Sequence, residues 1–158
     1  MSAPPSKNIQ GFSLPEVMIV VIIIAILVVL AVPQLNSSLQ LNRIQTASSL
    51  IASKLSEAKM AAIKQNKQVS FVLDETNRQV WIEANSTVIG NVEQLPQLIK
   101  VKISPDTSAT KEYITFNSMG VLSSTPATIL PFYEAKRVEL PISISISGKI
   151  TLGAIRTY

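Results

Sequence analysis

GFSLPEVMIVVIIIAILVVLAVPQ, residues 11–34, decides how this chain is built. From 17 to 32 no side chain is polar, about 16 residues and roughly 24 Å as an α-helix; Phe12, Leu14 and Leu35 extend the run toward a full hydrocarbon span. The stretch ahead of it, MSAPPSKNIQG, is short and polar and carries one basic residue, Lys7. A secretory signal is cut behind its apolar core at a small-x-small pattern, for which Ala31-Val32-Pro33 is a poor candidate. The helix is therefore expected to stay on the protein as an anchor. Glu16 is the anomaly within it. A carboxylate at hydrocarbon depth is costly unless it is paired or neutralised. No basic side chain lies within helical reach, since Lys7 precedes the apolar run and Arg43 lies far beyond it. The nearest cation would be a new α-amino group, made by cutting the chain just ahead of the helix.

The rest of the 158 residues is enough for one small domain and leaves no room for a second, catalytic one. Cysteine is absent, which excludes disulfides, thiolate nucleophiles and cysteine metal sites. Histidine is absent too, which removes the usual general base and the usual zinc ligand. No metal site and no cofactor are expected. The formal net charge is +4, and the excess sits in one segment: Arg43, Lys54, Lys59, Lys64 and Lys67 against Glu57.

Apolar residues at Ile44, Ala47, Ile51, Leu55, Ala58 and Ala62 recur in steps of three and four, which predicts one buried helical face continuing to about Asn66. Beyond Lys67 the period changes to two. Strands are predicted at 68–74 and 79–84, joined by a turn at 75–78, then at 98–104, 112–116, 127–132, 137–147 and 149–155, with a turn at Gly148-Lys149. Ile142, Ile144 and Ile146 alternate with Ser143, Ser145 and Ser147, so this strand should have a buried face and a wet one. The fold class is α+β: a long N-terminal helix packed on an antiparallel sheet. The parse is 1–11 leader, 12–35 membrane helix, 36–67 amphipathic helix and 68–158 β head.

The motif Gly11-Phe12-Ser13-Leu14-Pro15-Glu16-Val17 resembles the processing site of type IV pilins and type II secretion pseudopilins. That resemblance implies a prepilin peptidase that cuts after Gly11 and methylates the new N-terminus on Phe12. It also implies that Glu16 pairs with the Phe12 amine of a neighbouring subunit, which settles the lone carboxylate; desolvation offsets much of the Coulomb gain, so such a pair sets register more than it stabilises. Pro33 falls where the family has a helix-bending proline, and Pro15 suits a helix start. Residues 42–69, NRIQTASSLIASKLSEAKMAAIKQNKQV, are similar to the helix-to-strand passage of the H-type pseudopilin and FimT/FimU minor pilin branch. The segments at 114–120 and 146–150 resemble that branch's phenylalanine-to-glycine hairpin and terminal strand pair. The implied protein is a minor pilin or pseudopilin of a type II secretion pseudopilus or type IV pilus, at or near the tip or in initiation. Its implied place is the bacterial inner membrane, single-pass, with the head outside the cytoplasm. Its implied partners are other pilins, an assembly platform protein and ATPase, and membrane lipid.

Two other classes compete. Some FimT-branch members bind DNA through basic residues after a glycine near the C-terminus, where this chain has Gly148, Lys149 and later Arg156; nucleic acid is the alternative partner, with little positive charge to hold it. A membrane-anchored enzyme would need a Ser-Lys or carboxylate pair, and Ser53-Lys54 and Ser6-Lys7 are sequence neighbours that do not face each other on a helix. Trp81, Tyr113, Phe116 and Phe132 on predicted strands read as core rather than as a stacking platform. Asn85-Ser86-Thr87 matches a glycosylation sequon, to which no role is given.

Overall fold

The computed structural model describes residues 13–104, 110–123, 125–133 and 138–157, with the side chains of 31–37 left aside. The predicted leader, including Gly11, and Phe12 lie outside these residues. Two compact units are present, Met1–Ser38 and Leu39–Tyr158. Helix α1, Leu14–Gln65, is the described structure of the first unit and the first element of the second. Ten strands follow: β1 Val69–Asp74, β2 Gln79–Ala84, β3 Thr87–Gln94, β4 Lys100–Ser104, β5 Lys111–Phe116, β6 Ala127–Tyr133, β7 Val138–Glu139, β8 Ile142–Ile144, β9 Ile150–Leu152 and β10 Arg156–Thr157.

The helix ends one residue before the predicted limit, for a local reason. Asn66 adopts the left-handed conformation at φ 50°. Its N–H then reaches the Ile63 carbonyl at 3.3 Å while that of Lys67 reaches Ala62 at 3.2 Å, the double bond by which a helix satisfies its last carbonyls. In the second unit the predicted stripe is the buried one: Ile44, Ala47, Ile51, Leu55, Ala58 and Ala62 are all fully buried. They join one apolar cluster with Phe71, Leu73 and Ile114 from one sheet and Ile129, Ile142 and Ile144 from another.

The first sheet is antiparallel in the order β3-β2-β1-β5. Strand β3 is absent from the sequence expectations. It is an edge strand, exposed along most of its length, so no alternation of apolar and polar residues marks it. The signal that was available is the turn before it. Asn85 and Ser86 have φ 52° and 62°, the two-residue connection that twists with its flanking strands, so the sequon-like triplet is a hairpin corner.

In the second sheet β6 is central: Thr128 pairs with Ser104 of β4 on one side and Ser143 of β8 on the other. The predicted strand 137–147 is observed as β7 and β8, split around Pro141, which has no N–H to give a ladder. The alignment with β6 runs on unbroken across the gap, with Phe132 opposite Glu139 and Ala127 opposite Ile144. Strands β9 and β10 return along β8 and β7 as the other arm of the same hairpin. The expectation of a buried isoleucine face holds for Ile142 and Ile144 and fails for Ile146, which is exposed. The strand stops at Ile144, and Ile146 sits in the hairpin turn that Gly148 closes by donating to the Ser145 carbonyl at 2.8 Å.

The aromatic expectation divides. Phe116 is fully buried in the core, and Phe132 is half-buried. Trp81 and Tyr113 lie opposite Val72 across the first sheet, on the face turned away from Phe71 and Leu73. Tyr113 is exposed there, whereas Trp81 is largely covered, with the Lys111 ammonium 5.4 Å from its ring centre.

Candidate assembly helix and head surfaces

The helix start is built from Ser13. Its carbonyl accepts from the N–H groups of Glu16 at 3.1 Å and Val17 at 3.3 Å, so Pro15 falls in the first turn, where no carbonyl awaits its missing donor. Glu16 is then the third helical residue, three after Ser13, which is the spacing of a capping box. Its carboxylate also lies at the positive end of the helix dipole, a second reason for an acid at this position. The helix runs on through position 33.

From Leu14 to Leu30, fourteen large apolar side chains are exposed. Taking about 1.5 kcal/mol for each, covering them is worth on the order of 20 kcal/mol. That exceeds the whole stability of a typical domain, so this surface requires a hydrocarbon or protein environment. Among the described residues alone, no helix is long and apolar enough to cross a membrane. The apolar run is described only from Val17 to Leu30, about 14 residues and roughly 21 Å, and the remainder of the predicted span falls in 31–37.

In the head, two lysines of the basic segment, Lys54 and Lys59, are used for internal ties. Lys54 is buried; its ammonium meets Glu57 at 3.0 Å and Glu93 at 3.9 Å and donates to the Asn91 carbonyl at 3.3 Å. The last two partners lie on β3, so Lys54 fastens the edge strand to the helix. Gly90, at φ 75°, allows the strand to bend in: a Cβ there would stand 3.2 Å from a Glu57 carboxylate oxygen. Lys59 donates to the Gly148 carbonyl at 2.9 Å. Gly148 and Gly120 meet backbone to backbone, since a Cβ on Gly148 would fall 2.1 Å from the Gly120 carbonyl oxygen. The Leu122 N–H donates to the Ile146 carbonyl at 2.9 Å. The two segments read as a glycine hairpin and a terminal strand pair are thus brought together over the end of α1.

Asp74 is a titratable group held away from its ordinary behaviour. It caps the β1–β2 turn, accepting from the Asn77 N–H at 2.9 Å and from the Asn77 side-chain amide at 3.0 Å. These bonds, the backbone one foremost, hold its carboxyl below the usual 3.8, and the Lys111 charge adds to them.

The two cations considered for nucleic acid are not a pair. Lys149 is exposed just before β9, and Arg156 lies in β10, seven residues along the same hairpin arm, about 20 Å at strand rise. The Arg156 guanidinium is 3.9 Å from Glu139. Among the described residues no cluster of acids is disposed to hold a metal ion.

Residues 6–32 match the prokaryotic N-terminal methylation motif, and residues 47–148 match the type II transport protein GspH. The chain belongs to the GspH family. No curated protein matches the sequence closely enough to count as a relative. Among solved structures, this GspH-family chain is similar to the type IV minor pilin FimU of Pseudomonas aeruginosa, at 20% identity and a TM-score of 0.60 over 72% of this chain and 90% of that one. It is also similar to the minor pseudopilin EpsH from the type 2 secretion system of Vibrio cholerae, at 14% identity and a TM-score of 0.56 over 71% of this chain and 97% of that one. At those identities the likeness is one of fold, and it agrees with the α+β expectation. The GspH family is a structural family of minor pilins and pseudopilins, whose members assemble with other pilins.

Proposed function

We propose that this GspH-family subunit acts by polymerisation, with its N-terminal helix serving first as membrane anchor and then as the filament's packing element. A prepilin peptidase cuts after Gly11 and methylates the Phe12 amine. The head stands outside the cytoplasm of the bacterial inner membrane, and an assembly platform protein and ATPase draw the subunit into the filament. Glu16 pairs with the Phe12 amine of a neighbouring subunit, and Pro33 eases the curvature of the helix as it packs. The chain carries no catalysis of its own.

One observation carries this reading: fourteen large apolar side chains exposed from Leu14 to Leu30, a stretch of the helix whose one acid is Glu16. Hydrocarbon covers the apolar surface but does not neutralise the acid. A neighbouring subunit bearing a cationic N-terminus does both. The test is mass analysis of the intact protein from purified membranes and from sheared filaments. The expected species begins at Phe12 and carries one methyl group in both fractions; a chain retaining residues 1–11 in the filament fraction overturns the proposal.

A further inference from the structure

The exposed apolar residues of the head are not scattered evenly. Gly120 lies against the end of α1 so closely that a Cβ there would stand 2.8 Å from the Ile63 Cδ1 atom and 3.1 Å from the Lys59 Cε atom. Met119 is the chain neighbour of Gly120, and the Gly120–Gly148 approach and the Leu122–Ile146 bond bring the turn that carries Ile146 to the same end of the head. Met60 lies one helical turn before Ile63. These four side chains are 74% (Met119), 45% (Ile63), 58% (Ile146) and 53% (Met60) exposed. Large apolar side chains left exposed together at one end of a folded head mark a place of contact.

The uncompensated charges around it are cations, since the nearest acid on the helix, Glu57 one turn before Met60, is held by Lys54. Lys64 follows Met60 by one turn, Lys67 stands just past the end of α1, and Lys149 follows the hairpin turn that carries Ile146; all three are exposed. A second copy of this chain does not complement such a surface. Face to face, lysines would oppose lysines. Nor does the head offer a free acidic face elsewhere among its described residues. Glu57 and Glu93 are taken by Lys54, Asp74 by Asn77, Glu83 by the Trp81 indole N–H and Glu139 by Arg156. Glu75 and Glu112 each have an interaction as well.

We infer that the end of the head where the 117–121 and 145–149 turns meet the last turns of α1 is the docking surface for a different filament subunit. That subunit presents an apolar patch rimmed by carboxylates. Apolar contact supplies the affinity, and the lysine rim selects an acidic partner over a second copy by opposite charge. This rests on the filament-subunit reading above.

The experiment places a photo-crosslinking residue at Met119, at Ile146 or, as an exposed control on β3, at Val88, each in the full chain in producing cells. Met119 and Ile146 are expected to give a crosslink to one acidic pilin-class subunit, and Val88 to give none. The double variant Lys64→Glu/Lys67→Glu should lower that yield by roughly tenfold, and a reversed charge on the partner should restore it. Lys64→Gln with Lys67→Gln, which removes charge without adding repulsion, should give an intermediate loss. Crosslinks to a second copy, to lipid or to nucleic acid overturn the inference, as does a yield indifferent to the lysines. If the chain is absent from sheared filaments, the functional reading itself fails; if it is present and Met119 and Ile146 give no crosslink, only the docking surface fails.

Discussion

Replacing Gly148 by alanine tests the account of how the head is closed over the end of its helix. Three costs follow from the geometry. Gly148 has φ 70°, a left-handed conformation that costs a residue with a Cβ about 1–2 kcal/mol. The new methyl would fall 2.1 Å from the Gly120 carbonyl oxygen, a backbone atom that can move only if the 145–149 turn leaves the 117–121 turn. Parting them loses the Lys59 bond to the Gly148 carbonyl, about 1.5–3 kcal/mol as a charged donor, and weakens the Leu122–Ile146 bond, about 1 kcal/mol. The sum is about 4 kcal/mol, a large fraction of the 5–15 kcal/mol that a domain usually has. Gly120→Ala is the internal comparison. Its φ of 73° carries the same conformational cost, but its Cβ meets the Cδ1 atom of Ile63, the movable end of an exposed side chain, so about 2 kcal/mol is expected. Urea unfolding of the full chain in detergent, followed by the fluorescence of its single tryptophan, Trp81, reads both. Gly148→Ala should unfold at a clearly lower urea concentration than Gly120→Ala, with the slope unchanged. If the two variants unfold together, or Gly148→Ala lies within about 1 kcal/mol of the parent, the backbone contact does not hold the turns in place.

Lys54→Met keeps the buried stem and removes the charge that fastens β3; a loss of about 2 kcal/mol is expected, with amide exchange rising on 87–94 before the rest of the first sheet. Asp74→Ala should remove a stability contribution that depends on pH. The folded carboxyl lies below its ordinary 3.8, so the contribution is complete above that value and disappears as pH falls through the lower folded value. The difference in urea midpoint between parent and Asp74→Ala should therefore be constant near neutrality and shrink in acid. Glu16→Ala should still be cleaved and reach the membrane, but its incorporation into sheared filaments should fall by more than about a hundredfold, since an unpaired buried charge costs roughly 3–5 kcal/mol. Normal incorporation of that variant would exclude the charge pair.

What was legible in the residues is what repeats along the chain. The stripe from Ile44 to Ala62 needs only helical periodicity and a core to face, and every member is buried. The strands β4, β5 and β6 have one covered face each and show it as alternation, whereas β1 and β2 carry continuous apolar runs covered on both faces at Val72 and Trp81. Strand β3 lacks a covered face, so its pairing with β2 is set by the Asn85-Ser86 turn and the Lys54 clamp, which periodicity does not record. Ile146 continues the serine alternation and is nonetheless exposed, because the turn begins before the pattern ends. Trp81 and Val72 form a covered spot on the outer side of the first sheet, a location decided by cross-strand neighbours. The apolar first part of α1 and its acid, Glu16, are plain from hydrophobicity alone.

The sequence by itself determined the class of the molecule. Length, the apolar run, the glycine-to-glutamate motif and the change from helical to strand period are properties of neighbours in the chain, and local physics reads them directly. The tertiary structure decided the surfaces. Lys59 and Gly148 are 89 residues apart, and Lys54 and Asn91 are 37 apart, so nothing local foretells that each lysine is spent on a carbonyl of a distant turn or edge strand. The same long-range closure gathers Met60, Ile63, Met119 and Ile146 at one end of the head, because a contact surface is made by whichever segments the core leaves side by side.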